Sequence, residues 1–487
     1  MNVREASILM GADASFISAS LFDKQITDFS IDSRSVKTGE LFFALSQADY
    51  ARAGFNGTFA DAHDFIADAF SGGAIAAVGL AERVINDEKL NQLKDRLLLV
   101  DDAIAALQTL ARRVYEAWGR PVIGITGSAG KTTAKELTAQ VLSGAGRRVL
   151  KSERNYNNGL GLPLSVLRLV SAGHSPDEFD MAVLEMGMSS PTHEIRRLVE
   201  ITPPDVGVEL MVAPVHLEYL GSLENIAAAK AELIEGLKPN GIAVLNADDE
   251  LVIKMRSKHA GRTVTFGIDH PADVSASQID TSNLGLIRFQ LHTQLGDAPA
   301  VLPMSGRHNL MNALAAAAVG TCFEITPAQI AAALKDARPP AMRGSTLNFA
   351  GGFRVVDDSY NSNPRSLLSM VRTIVDAGGD CKRRIVIAGE MLELGPEAAQ
   401  LHREVGYKIA SSGVDVVWGV RGLAEDLVAG AKEAGLEQAR FFNDSDEAAE
   451  SILSELKAGD LVLIKGSRGV ATDKIVSAIK NAFPEKE

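Results

Sequence analysis

A glycine-rich loop with a lysine and two threonines, at residues 125–133, is the strongest chemical signal in the sequence. It reads ITGSAGKTT, follows the apolar segment 122–126 and precedes a segment with apolar residues on one face. Glycines let backbone N–H groups surround phosphate oxygens, and a helix N-terminus adds positive charge. The pattern predicts a phosphate-binding loop made of Gly127, Ser128, Ala129, Gly130, Lys131, Thr132 and Thr133.

Within that loop, we expect the Lys131 amine to reach the β and γ phosphates of a nucleotide and the Thr132 hydroxyl to ligate Mg²⁺. The common form of the motif has glycine at the position of Ile125, whereas here the glycine stands one place earlier, at Gly124. The alternative interpretation is a glycine turn with an incidental lysine. The strand–loop–helix context favours the phosphate loop.

Three further side chains are candidates for metal or carboxylate chemistry. Glu185 closes the apolar segment MAVLE (181–185), at the end of a predicted strand, where ligands bind in parallel sheets. His216 follows the apolar run 206–212 and is either a metal ligand or a structural histidine, since Mg²⁺ prefers oxygen. Lys230 lies in an alanine-rich helical segment and is either a neutral amine able to react with CO₂ or a surface lysine.

Polar side chains also gather next to other predicted elements. Asn309 precedes an alanine-rich helix, where it is either a ligand-binding residue or a helix N-cap. Arg343 follows Pro339 and Pro340 and could reach across a cleft between domains. The segments DDSYNSNP (357–364) and IKGSRG (464–469) each end a predicted strand, and an Asx-rich turn is the alternative for the first. The cations of the second, which suit a carboxylate or phosphate, are Lys465 and Arg468.

These residues need a scaffold, and the apolar patterning predicts an α/β protein of three domains. Residues 1–118 alternate short apolar runs with helical stretches, and residues 119–338 repeat strand, turn and helix around an alternating β insertion at 273–304. Residues 339–487 begin at the proline pair and contain four more apolar runs. We predict an N-terminal substrate domain, a central parallel-sheet phosphate-loop domain with a β insertion, and a C-terminal Rossmann-like domain.

Composition narrows the functional classes. The chain has 487 residues, 46% apolar and 23% charged, with a net charge of −13, so it lacks the global positive field typical of nucleic-acid binding. Its two cysteines cannot form a disulfide framework, no apolar run approaches the roughly 18 residues of a membrane helix, and charges interrupt any signal-peptide core. We expect a cytoplasmic monomer with no nucleic-acid or membrane partner.

Read together, these segments resemble the Mur ligases, the ATP-dependent amide ligases of peptidoglycan assembly. The resemblance covers nearly the whole chain and is carried by the order TGSAGKTT, ERNYNNGLGLP, VLEMG, HLEYLGS, AKAEL, GRHN, DDSYNSNP and KGSRG. It implies a ligase that uses ATP and Mg²⁺, with UDP-N-acetylmuramoyl-tripeptide and D-alanyl-D-alanine as substrates. The asparagine-rich loop and the DDSYN segment point to those two substrates.

The resemblance also implies roles for individual residues. Lys131, Glu185, His216 and Lys230 would be catalytic, with Thr132, Glu185, His216 and a carbamylated Lys230 on two Mg²⁺ ions. The further contacts with ATP would come from Asn309, Arg343, Asp358 and Tyr360. The 1–118 domain would bind the uridine diphosphate through Ser33 and Arg34, and the muramoyl-peptide would meet Asn155, Asn157 and Asn158. The carboxylate of the incoming dipeptide would meet Lys465 and Arg468.

Two other functions are compatible with parts of this pattern. One is a sibling ligase, either the enzyme that adds the third amino acid to a muramoyl-dipeptide or a folylpolyglutamate synthase. The other is a phosphate-loop switch that binds nucleotide without making a bond. The asparagine-rich loop and the DDSYN segment argue against the first, and the third α/β domain with the Glu185, His216 and Lys230 set argues against the second.

Overall fold

The computed structural model describes residues 1–55, 57–153, 155–188, 193–215, 217–377 and 379–486. These residues form two compact units, and each unit contains three separate segments of the chain. The first unit contains Met1–Thr126, Arg147–Gly207 and Glu232–Gly241, and the second contains Gly127–Gly146, Val208–Ala231 and Ile242–Glu487. Among the described residues, no helix has the length and apolar character needed to cross a membrane.

Most of the strands are apolar and buried, whereas the strands at 274–283 and 345–348 are polar and only partly buried. In chain order they are β1 (Phe29–Ser30), β2 (Leu41–Phe43), β3 (Ala76–Leu80), β4 (Leu97–Val100), β5 (Val122–Thr126), β6 (Val149–Lys151), β7 (Met181–Glu185), β8 (Val206–Glu209), β9 (Ile242–Asn246), β10 (Arg262–Gly267), β11 (Val274–Asn283), β12 (Leu286–Thr293), β13 (Gly296–Leu302), β14 (Ser345–Asn348), β15 (Arg354–Asp358), β16 (Arg383–Gly389), β17 (Val416–Val420), β18 (Ala439–Phe442) and β19 (Asp460–Lys465).

Helices alternate with these strands, as expected for sheets covered on both faces. They are α1 (Val3–Met10), α2 (Gln47–Arg52), α3 (Ile66–Ser71), α4 (Ala81–Asn86), α5 (Glu88–Asn91), α6 (Ala103–Trp118), α7 (Lys131–Gly144), α8 (Gly161–Leu167), α9 (Glu194–Ile201), α10 (Leu217–Leu220), α11 (Leu223–Glu235), α12 (Glu250–Ile253), α13 (Arg307–Cys322), α14 (Pro327–Lys335), α15 (Pro364–Ala377), α16 (Ala398–Ala410), α17 (Ala424–Glu433), α18 (Ser445–Glu455) and α19 (Asp473–Ala482).

In the first unit, β1, β2, β3 and β4 form a parallel sheet in chain order. The helix α6 follows because Asp102 caps its N-terminus, accepting hydrogen bonds from the N–H groups of Ile104 and Ala105. Such a cap contributes about 1 kcal/mol. The helix ends at Gly119, whose φ of 64° is left-handed. The same unit pairs β7 in parallel with β5 on one side and β6 on the other.

In the second unit, β9 and β10 pair in parallel, and β11, β12 and β13 form an antiparallel meander that continues from β10. The meander confirms the predicted β insertion. Next to it, α13 is buried along most of its length because its alanines permit close approach of neighbouring elements. Position 309 lies inside this helix, which begins after Gly306. The interpretation of Asn309 as an N-cap is therefore wrong.

The last sheet has the order β14-β15-β19-β16-β17-β18 and is parallel except at its β14 edge. Alternate residues of its strands enter two apolar cores, because successive side chains of a strand point to opposite faces. Val356, Val386 and Leu463 lie in one core, whereas Val355, Ile387 and Val462 lie in the other. The predicted α/β class and its parallel sheets are confirmed. The boundaries at 118/119 and 338/339 stay predictions.

Candidate active site

The phosphate loop has a backbone that only glycine adopts easily at two positions. Gly127 and Gly130 have φ values of 155° and 85°. A Cβ on Gly130 would lie 2.4 Å from Oδ1 of Asn312, and one on Gly127 would lie 2.8 Å from Cβ of Leu210. The loop is thus pressed against α13 and against the residues after β8. A cradle this tight holds its backbone N–H groups in place for an anion.

Side chains of the loop fasten it to the segment that follows β8. The Ser128 hydroxyl donates to the carbonyl of Ala213 at 3.1 Å and accepts from the N–H of the same residue at 2.9 Å, while the Ser128 N–H donates to the carbonyl of Met211 at 2.9 Å. The Lys131 amine donates to the carbonyl of Gly127 at 2.9 Å, across the mouth of the loop. The first helical residue of α7 is Lys131, as expected for a phosphate loop.

A buried carboxylate, Glu209, lies at the end of β8. Its side chain has no exposed surface, and neither carboxylate oxygen has a hydrogen-bond partner within the described part of the chain. Burial raises the pKa of Glu209 to about 8; the nearby Lys230 and Lys131 oppose the increase, and Asp249 adds to it. Sequence analysis missed this residue, although a carboxylate closing an apolar strand was the signal that singled out Glu185.

Lys230, on α11, is buried too, with 2% of its surface exposed, so the surface-lysine interpretation is wrong. Burial lowers the pKa of the Lys230 amine to about 7; the Glu209 carboxylate opposes the change and Lys131 adds to it. A lysine with such a pKa is substantially neutral near pH 7 and carries a free lone pair. The second unit thus brings Lys131, Lys230 and Glu209 within electrostatic range of one another.

Glu185 belongs to the first unit, where it ends β7 and is buried. The side-chain amide of Asn157 donates to Glu185 Oε1 at 2.9 Å, and the Glu185 N–H donates to the Ser152 hydroxyl at 3.0 Å. Gly187 passes close by, since a Cβ there would lie 2.9 Å from Cγ of Asn157. Asn157 therefore orients the carboxylate of Glu185, a contact that the sequence did not predict.

The other predicted contacts with the UDP-peptide have local partners. Asn158 accepts hydrogen bonds from the N–H groups of Leu160 and Gly161 at the start of α8, and Asn155 is exposed. The exposed guanidinium of Arg34 forms two hydrogen bonds with Asp32, at 2.9 and 2.8 Å, and Ser33 lies in the same turn. These residues stand at loop and turn positions that a ligand can reach. His216 lies outside the described residues.

Asn309, Arg343 and Tyr360 have well-defined neighbours in the second unit. The Asn309 amide donates to the carbonyl of Ser305 at 2.8 Å, and Asn312 donates to Asn309 Oδ1 at 3.4 Å. This links Asn309 to Asn312, the residue that packs against Gly130 in the phosphate loop. The Arg343 guanidinium lies 4.1 Å from the centre of the Tyr360 ring, a cation–π contact.

Lys465, predicted to meet the carboxylate of the dipeptide, has partners within the protein. Its amine donates to Asp358 Oδ2 at 2.6 Å and to the carbonyl of Asn361 at 2.8 Å. Because β15 and β19 pair with Asp358 opposite Lys465, this ion pair follows from the sheet register. Arg468, in contrast, keeps 60% of its side chain exposed.

The chemistry of these residues matches a nucleotide with Mg²⁺ more closely than a metal held by protein alone. Within the described ranges, no three His, Cys, Asp or Glu side chains are grouped closely enough to hold a metal ion. Mg²⁺ commonly takes one or two protein ligands and completes its shell with phosphate oxygens and water. The Thr132 hydroxyl of the phosphate loop is a donor that fits that mode.

Comparisons with known proteins agree with this geometry. A family model described as the Mur ligase middle domain matches residues 125–320, and one described as the Mur ligase, glutamate ligase domain matches residues 342–468. The UDP-N-acetylmuramoyl-tripeptide–D-alanyl-D-alanine ligase of Bacillus subtilis is 33% identical over 446 residues, 91% of each chain.

Solved structures are similar over the same length. A crystal structure of MurF from Acinetobacter baumannii superposes with a TM-score of 0.81 at 27% identity and covers 94% of both chains. MurF ligase from Thermotoga maritima in complex with ADP gives a TM-score of 0.78 at 26% identity, over 94% of this chain and 98% of that one. With a shared fold, matching domains and relatives of this similarity, the chain belongs to the Mur ligase family.

Proposed function

We propose that this chain is an ATP-dependent ligase that joins D-alanyl-D-alanine to UDP-N-acetylmuramoyl-tripeptide and releases ADP and phosphate. The product is a UDP-muramoyl-pentapeptide, a precursor of peptidoglycan. The observation that carries the proposal is the phosphate loop packed against Asn312, with Lys131 and the buried Lys230 close enough to interact electrostatically. Family membership and the relatives named for this reaction support it.

The phosphate loop would bind the triphosphate of ATP. Its tight backbone is already formed, so little ordering accompanies binding. Lys131 would exchange the carbonyl of Gly127 for the β and γ phosphates, and Asn309 would contact the adenine. Arg343 would reach the γ-phosphate, with Asp358 and Tyr360 near the ribose. Mg²⁺, held by Thr132, Glu185, His216 and a modified Lys230, would neutralise charge on the transferred phosphoryl group.

The reaction requires activation because a carboxylate and an amine do not condense by themselves. A carboxylate oxygen of the tripeptide attacks the γ-phosphorus of ATP, the bond to the β–γ bridging oxygen breaks, and ADP leaves with that electron pair. The amine of the dipeptide then attacks the carbonyl carbon of the acyl phosphate and loses a proton, and inorganic phosphate departs. Lys131 and Arg343 would reduce the repulsion between the two anions that meet in the first step.

Lys230 is proposed to be carbamylated. Its burial supports this, because the neutral amine needed for attack on CO₂ is favoured in an apolar environment. The amine nitrogen bonds to the carbon of CO₂ and releases a proton, which leaves a carboxylate at the end of the side chain. That carboxylate would give Lys230 the oxygen ligands that a hard divalent cation prefers.

The remaining contacts belong to the same proposal. Ser33 and Arg34 would bind the uridine diphosphate, and Asn155, Asn157 and Asn158 would face the muramoyl-peptide. We place the enzyme in the cytoplasm as a monomer, and both of its cysteines are free thiols, as in a reducing compartment. Nothing observed favours the sibling ligases or a nucleotide switch.

Replacement of Lys131 tests the proposal. K131A is expected to abolish release of ADP and phosphate in the presence of both peptide substrates, while K408A, which removes an exposed lysine, keeps wild-type turnover. ADP and phosphate should appear in equal amounts and only when all three substrates are present. Turnover by K131A, or release of phosphate by wild type without an amine acceptor, would contradict the proposal.

A further inference from the structure

The helix α15 has a polar side that contacts α13 instead of the core of the last sheet. Its residues Arg365, Ser369 and Thr373 are spaced four positions apart, so they lie along one side of the helix. The Ser369 hydroxyl lies 3.2 Å from Nδ1 of His308, and the Thr373 hydroxyl lies 2.6 Å from the position of a Cβ on Gly306. The apolar side chains of α15 enter the core of the last sheet, and they are Leu367, Met370, Val371 and Ile374.

Arg365 stands in the first turn of α15, where a cation is unfavourable. The positive end of the helix dipole lies there, and the first turn contains no acidic residue to offset the charge. The stability of α15 therefore gives no reason for an arginine at this position. The guanidinium instead donates to the carbonyl of Val212 at 3.2 Å and lies 3.7 Å from Asp249 Oδ2. It thus contacts the segment that follows β8.

That segment, residues 211–213, is held from two sides. The Ser128 N–H of the phosphate loop donates to the carbonyl of its first residue at 2.9 Å, and the Ser128 hydroxyl accepts from the N–H of its last residue at 2.9 Å. Its middle residue, Val212, donates its N–H to Asp249 Oδ2 at 3.0 Å and accepts from Arg365 through its carbonyl. Ser128 and Arg365 therefore bind the same short stretch of backbone.

Asp249 gives Arg365 a fixed partner. Its carboxylate is buried, and its Oδ1 accepts from the N–H groups of Leu251 and Val252 at 3.1 and 3.2 Å, as the N-cap of α12. The Arg365 side chain, in contrast, is 55% exposed. One carboxylate and one carbonyl lie within its reach, and a guanidinium, which has several N–H donors in one plane, can bind both.

We propose that Arg365 is a positioning residue for ATP, because it holds the segment 211–213 to which the phosphate loop is fastened. Its effect on the loop passes through Ser128. This inference rests on the proposed function, since ATP is the ligand that the loop is proposed to bind. It gives the helix α15, which belongs to the last sheet, a part in shaping the nucleotide site.

The test measures the Kd for ATP with Mg²⁺ by calorimetric titration of wild type, R365A, R365K and R372A. Arg372 is the matched control, because it lies on the same helix, is 85% exposed and has its ion pair with Asp376 within that helix. We expect R365A to raise the Kd by about 3- to 30-fold, the range for a residue that acts on a ligand through others. R372A should stay within about twofold of wild type, as surface substitutions usually do.

R365K should have a Kd between those of wild type and R365A, because lysine keeps the charge but lacks the planar set of donors. Should R365A fail to fold, R365K takes its place, and a wild-type Kd for R365K would then overturn the proposal. A role in stability alone would lower the melting temperature of R365A and leave its Kd for ATP unchanged. That result would also overturn the proposal.

A double-mutant cycle tests the route through Ser128. S128A removes the hydroxyl that bonds to the last residue of the segment 211–213. R365A should therefore weaken ATP binding less in the S128A background than in wild type, since the two residues act on the same segment. Effects of R365A and S128A that simply add would overturn the proposed route. If wild type does not bind ATP at all, it is the proposed function that fails.

Discussion

At the scale of single residues, Glu209 is a buried carboxyl group close to the positively charged side chains of the phosphate-loop region. A fully buried carboxylate without a hydrogen-bond partner is strongly destabilising as an anion. The Lys230 and Lys131 amines attract it, yet burial still raises its pKa to about 8. The folded protein therefore holds Glu209 largely protonated near neutral pH, whereas the unfolded chain ionises it above its ordinary pKa of 4.5.

This difference in pKa predicts that the effect of E209Q on stability depends on pH. Glutamine has nearly the same shape as glutamate but does not titrate. The stability that wild type gains from the neutral carboxyl is complete below pH 4.5 and is lost as the pH rises through about 8. The melting temperature of E209Q, measured relative to wild type, should therefore increase across that window. Thermal unfolding in a series of buffers measures it, and a difference that is independent of pH would contradict the expectation.

Lys230 gives a second prediction at this scale. K230A should lose ligase activity, and short carboxylic acids should partly restore it, because they supply the carboxylate that the carbamate would provide. Lysine at 408, exposed on α16, offers the control, since K408A should need no additive. Full activity of K230A without additive would rule out the carbamate, and mass spectrometry of wild type saturated with CO₂ gives an independent readout.

Sequence alone predicts the phosphate loop and Glu185 but not how their surroundings arrange themselves. Glu209 lies inside the apolar run 206–212, which predicts a strand but gives no role to this residue. Its burial depends on elements that are distant in sequence. The bond from Asn157 to Glu185 spans 28 positions and the ion pair of Lys465 with Asp358 spans 107. The ion pair follows from the register of β15 and β19, and the Asn157 contact follows from the packing of a loop against β7. A single sequence specifies neither.

At the scale of elements, the approach of α13 to the phosphate loop is the critical contact. Gly130 and Gly146 flank α7 with nearly the same φ, 85° and 84°, but they differ in the space around them. A Cβ on Gly130 meets Asn312 at 2.4 Å, whereas one on Gly146 meets nothing within 4 Å. The two positions therefore separate backbone strain, which is common to both, from a clash that only one has.

We expect G130A to weaken ATP binding by at least about tenfold, because either the loop or the Asn312 side chain that packs on it must move to relieve the clash. G146A should bind ATP as wild type does, with a melting temperature lowered by a similar strain of about 1 kcal/mol. Calorimetric titration with ATP and Mg²⁺ measures both. Equal ATP affinities in the two variants would show that the contact with Asn312 does not shape the loop.

The apolar runs 122–126 and 181–185 coincide with β5 and β7, whereas β8 is shorter than its run. The run 206–212 predicts a strand of that length, but β8 ends at Glu209. Beyond it, the carbonyl of Leu210 accepts from Asn246, that of Met211 accepts from Ser128, and the N–H of Val212 donates to Asp249. These backbone groups bond to the side chains of Asn246 and Asp249 and to the phosphate loop rather than to the backbone of a neighbouring strand, which hydrophobicity does not reveal.

At the scale of the whole molecule, the chain passes more than once between its two compact units. Glu209 and Lys230 follow Lys131 of the phosphate loop by 78 and 99 residues, yet all three lie in one unit. The boundaries at 118/119 and 338/339 divide the chain into three continuous segments, and they stay predictions. Composition and patterning predict elements along the chain, whereas the partition into units depends on which elements pack together.

The proposed reaction also belongs to this scale, because it requires a nucleotide, a UDP-linked peptide and a dipeptide to be handled by one chain. The proposal assigns the phosphate loop to the nucleotide and the asparagine-rich loop to the UDP-linked peptide. A nucleotide switch needs only the first of them. Bond formation between the two peptides is therefore the property that distinguishes the account from its alternatives.

Mass spectrometry of the product formed from UDP-N-acetylmuramoyl-tripeptide, D-alanyl-D-alanine, ATP and Mg²⁺ tests this claim most directly. We predict a new species whose mass equals the two peptides minus one water, formed together with ADP and phosphate and absent when any reactant is omitted. ATP hydrolysis with both peptides recovered unchanged would contradict the account.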